Sequence, residues 1–207
     1  DRIFRLTIDG KIDKTELKGS TSCPPAAATF KEEFPEVLEA ARVINTGEHI
    51  IKYDNKVFNE SNIIFADSTF FNIFSFHIIK GNARNALSAP RKIVLTETTA
   101  KKYFGNKDPL GEMLIMDNDT TYYEVTGVVE DVPTNSHFDF DFIASLSGHP
   151  RVQNTSWLNN FLFTYFLIDE KADYKALTEK FKPIIEKNVA PQLESILNIT
   201  TEEFAES

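Results

Sequence analysis

Few residues of this sequence have the type and spacing needed for chemistry, and the most suggestive are His137, Asp139 and Asp141. They alternate with phenylalanines, so a strand would place an imidazole and two carboxylates on one face, as a hard cation requires. The alternative is a solvated strand face opposite three core phenylalanines. We favour the solvated face, because a metal site needs further ligands and oriented supporting partners, and the sequence suggests none.

Three other features invite a chemical interpretation. The segment Asp117-Asn118-Asp119-Thr120 resembles a calcium loop but lacks the glycine at loop position 6 and the glutamate at position 12, so a hairpin tip is favoured. The segment Ser147-Gly148-His149 has a hydroxyl and an imidazole without a nucleophile elbow, which favours a polar loop. Cys23 has no histidine nearby in sequence and is interpreted as an inert thiol.

Phosphate chemistry is also not indicated. No GxxxxGK[ST] motif occurs, and Gly105, Gly111 and Gly127 are interpreted as turn residues or as a close strand contact. Lys101-Lys102 is interpreted as a charged helix end. We therefore expect no catalytic, cofactor-binding or metal-binding residue, no cofactor and no enzymatic activity.

Composition narrows the class of protein. The 207 residues carry a net charge of −9, which disfavours nucleic acid or an anionic membrane surface as a partner. A hydrophobic content of 42% with 18 phenylalanines predicts a substantial core. No apolar run is long enough to span a bilayer, and no signal peptide is visible. The start at Asp1 without methionine favours an excised fragment, and the single cysteine cannot form an internal disulfide.

The elements that would position these residues are clearest between Asn62 and Pro133. Thr96 is a good N-cap, Glu97 to Phe104 has helical periodicity, and Gly105 is a suitable terminator. Strands are predicted at Met113–Met116 and Tyr122–Val129, on either side of the polar hairpin tip.

Outside this stretch the patterns predict alternating strands and helices. The N-terminal part should contain a strand at Phe4–Ile8, a polar loop at Lys11–Thr21, a helix after Pro24-Pro25 and a strand from about Ala40. Further along, the patterns predict a hairpin at His49–Phe58, a strand at Ile63–Ala66 and a short helix capped by Asp67. The C-terminal part should contain a loop at Ser145–Ser156, a strand at Phe161–Ile168, a helix capped by Asp173 and a frayed tail at Thr200–Ser207. The apolar face of that helix should consist of Leu177, Phe181, Ile184 and Ile185. The aromatic residues Phe70, Phe71 and Phe74 are interpreted as core, with a partner-facing patch as the alternative.

Several of these segments together resemble a known family. The series FADSTFFNIFSFHIIKG, IVLTETTAKKYFGNKDPLGEMLIMDN and YEVTGVVEDVPTNSHFDFDF is similar to the extracytoplasmic domain of MacB/FtsX-type ABC transporter permeases. The flanking segments FKEEFPEVLEAARV and WLNNFLFTYFLIDEKADYKALTEKF extend the resemblance from Phe30 to Phe181. It lies in fold-forming residues, so no functional residue is carried over.

The resemblance implies a non-catalytic domain at the extracytoplasmic face of the bacterial inner membrane, in the periplasm, within an integral membrane permease subunit. Cytoplasmic ATP hydrolysis would be coupled to export or to control of a partner outside that membrane. The implied partners are the rest of the permease and its ATPase subunit, a second permease copy, and a periplasmic adaptor or other extracytoplasmic protein. The alternatives are a free-standing periplasmic ligand-binding module and a secreted enzyme with an unrecognised site.

The predicted fold class is α+β with two lobes. Residues 1–47 and 157–207 should form a discontinuous, membrane-proximal sheet-and-helix lobe, because each segment begins with a strand and continues with a helix. Residues 48–156 should form an inserted, mostly β lobe with short helices. The strand at Phe4–Ile8 is then expected to pair with the strand at Phe161–Ile168.

Overall fold

The computed structural model describes residues 2–12 and 15–197. The elements in these residues are the strands β1 (Ile3–Arg5), β2 (Ile8–Ile12), β3 (Thr15–Gly19), β4 (Val37–Asn45), β5 (His49–Tyr53), β6 (Lys56–Glu60), β7 (Ile63–Ala66), β8 (Ile78–Gly81), β9 (Lys92–Thr96), β10 (Met113–Met116), β11 (Tyr122–Val129), β12 (Phe142–Ser145) and β13 (Phe163–Ile168), and the helices α1 (Ala26–Glu33), α2 (Phe70–Ile73), α3 (Glu97–Phe104) and α4 (Tyr174–Leu197). The predicted α+β class is confirmed.

The chain divides into two compact units, one formed by residues 1–42 and 150–207 and one by residues 43–149. The lobe boundaries expected from the sequence, and the membrane-proximal place of the first lobe, stay predictions.

The sheet of the first unit has β13 at its centre, between β1 and β4. β1 and β13 are antiparallel, with Phe4 opposite Phe166 and Arg5 opposite Tyr165, which confirms the predicted pairing of these two segments. Ile8 does not continue β1 but begins the separate β2–β3 hairpin.

The core of the first unit forms around Phe30 of α1, whose side chain is fully buried. Its ring lies 4.2 Å from the ring of Phe181 on α4, 5.9 Å from that of Phe166 on β13 and 6.1 Å from that of Trp157. Cys23 is buried in the same cluster. Helix α1 thus packs on the sheet and on α4 through the Phe30 ring.

The sheet of the second unit is mixed and includes the end of β4, from Val43 to Asn45. Its order is β4-β7-β12-β9-β11-β10-β5-β6, with β8 also on β11. β7 and β12 are parallel, as are β9 and β11, while the other described pairs are antiparallel. Helix α3 begins as predicted, with the Thr96 hydroxyl accepting the Thr99 N–H at 3.4 Å.

Three predicted elements are wrong or incomplete. The loop expected at Lys11–Thr21 contains β3, which pairs with β2; its polar sequence gives no alternation to detect. β4 begins at Val37 rather than near Ala40. The alternating segment at 137–141 is not a strand, although its phenylalanines are buried, because regular pairing begins only at Phe142.

Smaller corrections concern helices and loops. Helix α2 has Thr69 rather than Asp67 at its N-cap. Helix α4 begins after Asp173 as predicted, since the Asp173 carboxylate accepts the Lys175 N–H at 2.9 Å, but Ile185 is 39% exposed and does not belong to the buried face. The loop expected at Ser145–Ser156 contains the end of β12 and a 3₁₀ turn at Pro150–Gln153. The tail expected at Thr200–Ser207 lies outside the described residues.

Candidate functional site

The structure does not turn the His137, Asp139 and Asp141 pattern into a metal site. His137 and Asp139 are exposed, whereas Asp141 is half-buried. Burial, together with the nearby carboxylates of Glu60 and Asp139, raises the pKa of Asp141 above its ordinary value. No group of three or more metal-type ligands occurs in the described part of the chain.

The polar tip after β10 uses its side chains to hold the turn. The Asn118 Oδ1 accepts the Thr120 N–H at 3.0 Å and the Thr120 hydroxyl at 2.7 Å. The Asp117 Oδ1 accepts the Ile50 N–H at 3.1 Å, and Asp119 pairs with Lys52 at 2.6 Å. These contacts support the hairpin interpretation of the segment.

A hydroxyl, an imidazole and a carboxylate nevertheless line up beside this tip. The Thr46 Oγ1 lies 2.6 Å from the His49 Nε2, and the His49 Nδ1 lies 2.8 Å from the Asp117 Oδ2. Sequence reasoning missed this row because Asp117 follows His49 by 68 residues. The two clefts described below are not lined by it, so the row is better understood as a tie between β5 and the tip than as a nucleophile and its base.

The remaining chemical candidates are packed or occupied. The His149 ring lies edge-on to the Phe65 ring at 5.1 Å, and the Ser147 N–H donates to the Ser145 hydroxyl. Burial raises the pKa of the Cys23 thiol, which keeps it protonated and unreactive.

A buried polar cluster joins α3 to β6. The Glu60 side chain is 8% exposed and accepts hydrogen bonds from the Lys102 Nζ at 2.6 Å and the Tyr103 hydroxyl at 2.5 Å. Burial, followed by the hydrogen bond to Glu60, raises the pKa of Tyr103 well above its usual range. Because both partners donate to one carboxylate oxygen, the cluster satisfies a buried charge and serves to fix the helix.

The strongest candidate site is a cleft of about 250 Å³ in the second unit, which we call the aromatic cleft. Three segments line it, through residues 74–77, through residues 130, 131 and 133, and through residues 136–138. Phe74 and Phe138 are each 8% exposed and pack edge-to-face at 4.8 Å, and half-buried Phe76 lies 6.1 Å from Phe138. The cleft therefore has an aromatic floor.

The rim of the aromatic cleft is polar and acidic. The His77 Nδ1 lies 2.9 Å from the Glu130 Oε1, and both side chains are mostly exposed. The Asp131 carboxylate accepts the Thr98 N–H at 2.9 Å and the Thr98 hydroxyl at 2.6 Å. These hydrogen bonds lower the pKa of Asp131, so that its negative charge is retained under mildly acidic conditions.

Strand pairing brings the rim residues together. β8 and β11 are antiparallel, and the ladder continues past β11 as the Glu130 N–H donates to the His77 carbonyl at 3.0 Å. Sequence reasoning missed the aromatic cleft, because 53 residues separate His77 from Glu130 and no local motif marks either. The core interpretation of the aromatic run holds for Phe70 and Phe74, while Phe71 is half-buried.

A second cleft, of about 240 Å³, has a different character. Its lining combines Asn82, Asn85, Lys92 and Glu124 with backbone and apolar atoms. The Asn82 Oδ1 already accepts the Arg84 N–H at 2.9 Å. With opposite charges present and part of its polar lining in use, this cleft indicates no particular ligand.

Comparison with known proteins places these features in context. The MacB-like periplasmic core domain family matches residues 1–184. No curated protein matches the sequence. A search for helices long and apolar enough to cross a bilayer finds none in the residues that the structure describes.

Three solved structures share the fold. A domain from Porphyromonas gingivalis, of a protein described as a permease, superposes with a TM-score of 0.80 at 25% identity over 91% of this chain and 81% of that one. The periplasmic region of MacB from Actinobacillus actinomycetemcomitans gives 0.61 at 18% identity, over 87% and 85%. The extracellular domain of the noncanonic ABC-type transporter YknZ from Gram-positive bacteria gives 0.54 at 14% identity, over 87% of both chains.

Proposed function

The chain belongs to the MacB-like periplasmic core domain family, and we propose that it is the non-catalytic extracytoplasmic domain of an ABC transporter permease subunit. In this proposal the domain couples ATP hydrolysis in the cytoplasm to export, or to control of a partner outside the inner membrane. Its direct partners are the rest of the permease with its ATPase subunit, a second permease copy, and an adaptor or other extracytoplasmic protein.

The observation that carries the proposal is the family match over residues 1–184, which includes most of both units. The chemistry of the described side chains agrees with a non-catalytic role. The hydroxyl–imidazole–carboxylate row at Thr46, His49 and Asp117 lines neither described cleft, and the buried Glu60 carboxylate is already paired.

The connectivity supports a membrane-proximal first lobe at residues 1–47 and 157–207. β1 lies near the start of the described chain and α4 near its end, and both belong to the first unit. If both ends lead into one membrane, the first lobe is the one nearer to that membrane.

The test is a distance measurement in the full-length permease, reconstituted with its ATPase in nanodiscs. A Cys23→Ser background would carry one spin label per copy, at Glu170→Cys in the first unit or at Asn55→Cys on the β5–β6 turn; both sites are exposed. We expect the distance between the two copies to change when ATP and vanadate trap the ATPase. An ATPase variant unable to hydrolyse ATP is the control. Identical distance distributions in the resting and trapped states at both sites would refute the coupling role.

A further inference from the structure

We propose that the aromatic cleft binds a single aromatic or aliphatic side chain from a basic peptide segment of an extracytoplasmic partner protein. The inference deepens the proposed function and rests on it for the existence of such a partner. The chemistry of the ligand follows from the size, floor and rim of the cleft.

The size of the cleft favours one side chain of a larger chain over a free small molecule. Small-molecule sites usually measure about 300–1,000 Å³ and bury most of the ligand. The aromatic cleft measures about 250 Å³, and most of the residues on its rim, including Ser75, His77, Glu130 and His137, are exposed. Such an open site can hold one anchoring group while the rest of the ligand stays outside.

The floor of the cleft selects an apolar anchor. Phe74, Phe76 and Phe138 all line it, and each ring is held by other rings: Phe76, for example, stacks on Phe70 at 5.7 Å. Rings fixed in this way offer a surface that does not have to be ordered on binding, which reduces the entropy cost of association. Aromatic pairs add about 0.5–1.5 kcal/mol beyond area burial, so an aromatic anchor is favoured over an aliphatic one.

The charge of the rim selects a basic flanking sequence. The ten lining residues include the carboxylates Glu130 and Asp131 but no lysine or arginine. The Glu130 side chain is 61% exposed and shares one oxygen with His77. Asp131 retains its charge through Thr98. The net charge of −9 on the whole chain adds a general attraction for cations and repels acidic segments.

The experiment is an NMR titration of the 207-residue chain with three synthetic peptides. The probes are acetyl-Lys-Lys-Phe-Lys-Lys-amide, the same peptide with glycine in place of phenylalanine, and acetyl-Glu-Glu-Phe-Glu-Glu-amide. We expect saturable shifts only with the first peptide, concentrated at the amides of Ser75, His77 and Ser136. Added salt should weaken the binding, because the attraction involves exposed charges.

A matched pair of variants separates the rim from general electrostatics. Glu130→Gln should weaken binding of the basic aromatic peptide by about two- to fivefold, as expected for one exposed ion pair. Glu179→Gln makes the same change of charge on an exposed position of α4 in the first unit and should leave the affinity unchanged. Both positions are exposed, so both variants should fold, which thermal unfolding would check.

Equal binding of the acidic peptide, equal binding of the glycine peptide, shifts outside the cleft, or no saturation at millimolar peptide would each overturn the inference. An equal loss in the two glutamate variants would overturn it as well. None of these results affects the spin-label distances, so failure of the inference and failure of the coupling role are distinguishable.

Discussion

Replacing Gly81 by alanine tests the junction that builds the aromatic cleft. Gly81 closes β8 opposite Gly127 of β11, with φ at +91°. A Cβ added there would lie 2.4 Å from the Thr126 carbonyl oxygen and 3.0 Å from the Gly127 Cα. Both obstacles are backbone atoms of a central strand, so β8 itself would have to move.

The magnitude has two parts. Holding alanine in the left-handed region costs about 1–2 kcal/mol. Forcing a methyl group into filled space typically costs a further 1–3 kcal/mol or so. The free energy of unfolding should therefore fall by about 2–5 kcal/mol in Gly81→Ala.

Gly47→Ala provides the matched control. Gly47 has nearly the same backbone angle, φ +87°, but nothing lies within 4 Å of its added Cβ. Only the conformational cost of about 1–2 kcal/mol should then remain. Both glycines belong to the second unit, so urea denaturation monitored by circular dichroism measures the change in the free energy of unfolding of the same unit for both variants. Equal losses in the two variants would refute the close approach of β8 to β11.

Three further predictions concern packing, ionisation and nucleotide binding. Phe104 is 6% exposed and its ring lies 4.5 Å from the Tyr53 ring. Chemical denaturation should therefore show that Phe104→Ala lowers the free energy of unfolding by about 3–5 kcal/mol, whereas Phe104→Leu lowers it by less than about 1.5 kcal/mol. A loss below about 1 kcal/mol for the alanine variant would contradict the packing. The pKa of Asp141 in the folded protein is raised above the ordinary value of 3.8, so this carboxyl loses its proton at lower pH in the unfolded chain than in the folded protein. The free energy of unfolding should therefore fall as the pH rises from 3.8 through the pKa of Asp141 in the folded protein. Asp141→Asn should accordingly raise the free energy of unfolding at neutral pH, with a gain that shrinks towards pH 4; a gain independent of pH would contradict the ionisation argument. Calorimetry should show no binding of ATP to the isolated chain, and saturation at micromolar nucleotide would be the contrary result.

Local signals in the sequence predicted the local elements well. The Thr96 cap and the helix it begins need only neighbouring residues, as does the tight turn at Asp54-Asn55 between β5 and β6. The pairing of β1 with β13 was also predictable, because each of the two chain segments begins with a strand pattern and continues with a helix pattern, so each supplies half of one sheet-and-helix layer.

The wrong secondary-structure predictions have a common physical cause, because the conformation of each segment depends on contacts that its own residues do not reveal. β3 is polar and is stabilised by its neighbour β2, so its own residues show no periodicity. The phenylalanines at 138 and 140 alternate and are buried, yet no strand forms there, because burial in an aromatic cluster can satisfy the same pattern as a sheet. Ile185 follows the predicted spacing but lies on an exposed part of α4.

The aromatic cleft was beyond sequence reasoning for the same reason. Phe74 and Phe138 are read correctly as core residues from their own segments. That they leave a gap with an acidic rim depends on the β8–β11 ladder, which sets His77 beside Glu130. Local periodicity identifies the buried rings but carries no information about the space between them.

The position of Trp157 gives the molecule a built-in optical reporter. It is the single tryptophan of the chain, and it lies in the aromatic core of the first unit, where it is 8% exposed. Its backbone N–H donates to the Gln192 Oε1 at 2.9 Å. Its emission should therefore shift to longer wavelength only when that core opens to water. The second unit holds no tryptophan, so the indole signal follows one half of the protein while circular dichroism follows both. If the tryptophan emission and the circular dichroism change at the same temperature during thermal unfolding, the two units unfold together. If they change at different temperatures, the two units unfold separately, and no added label is needed to observe this.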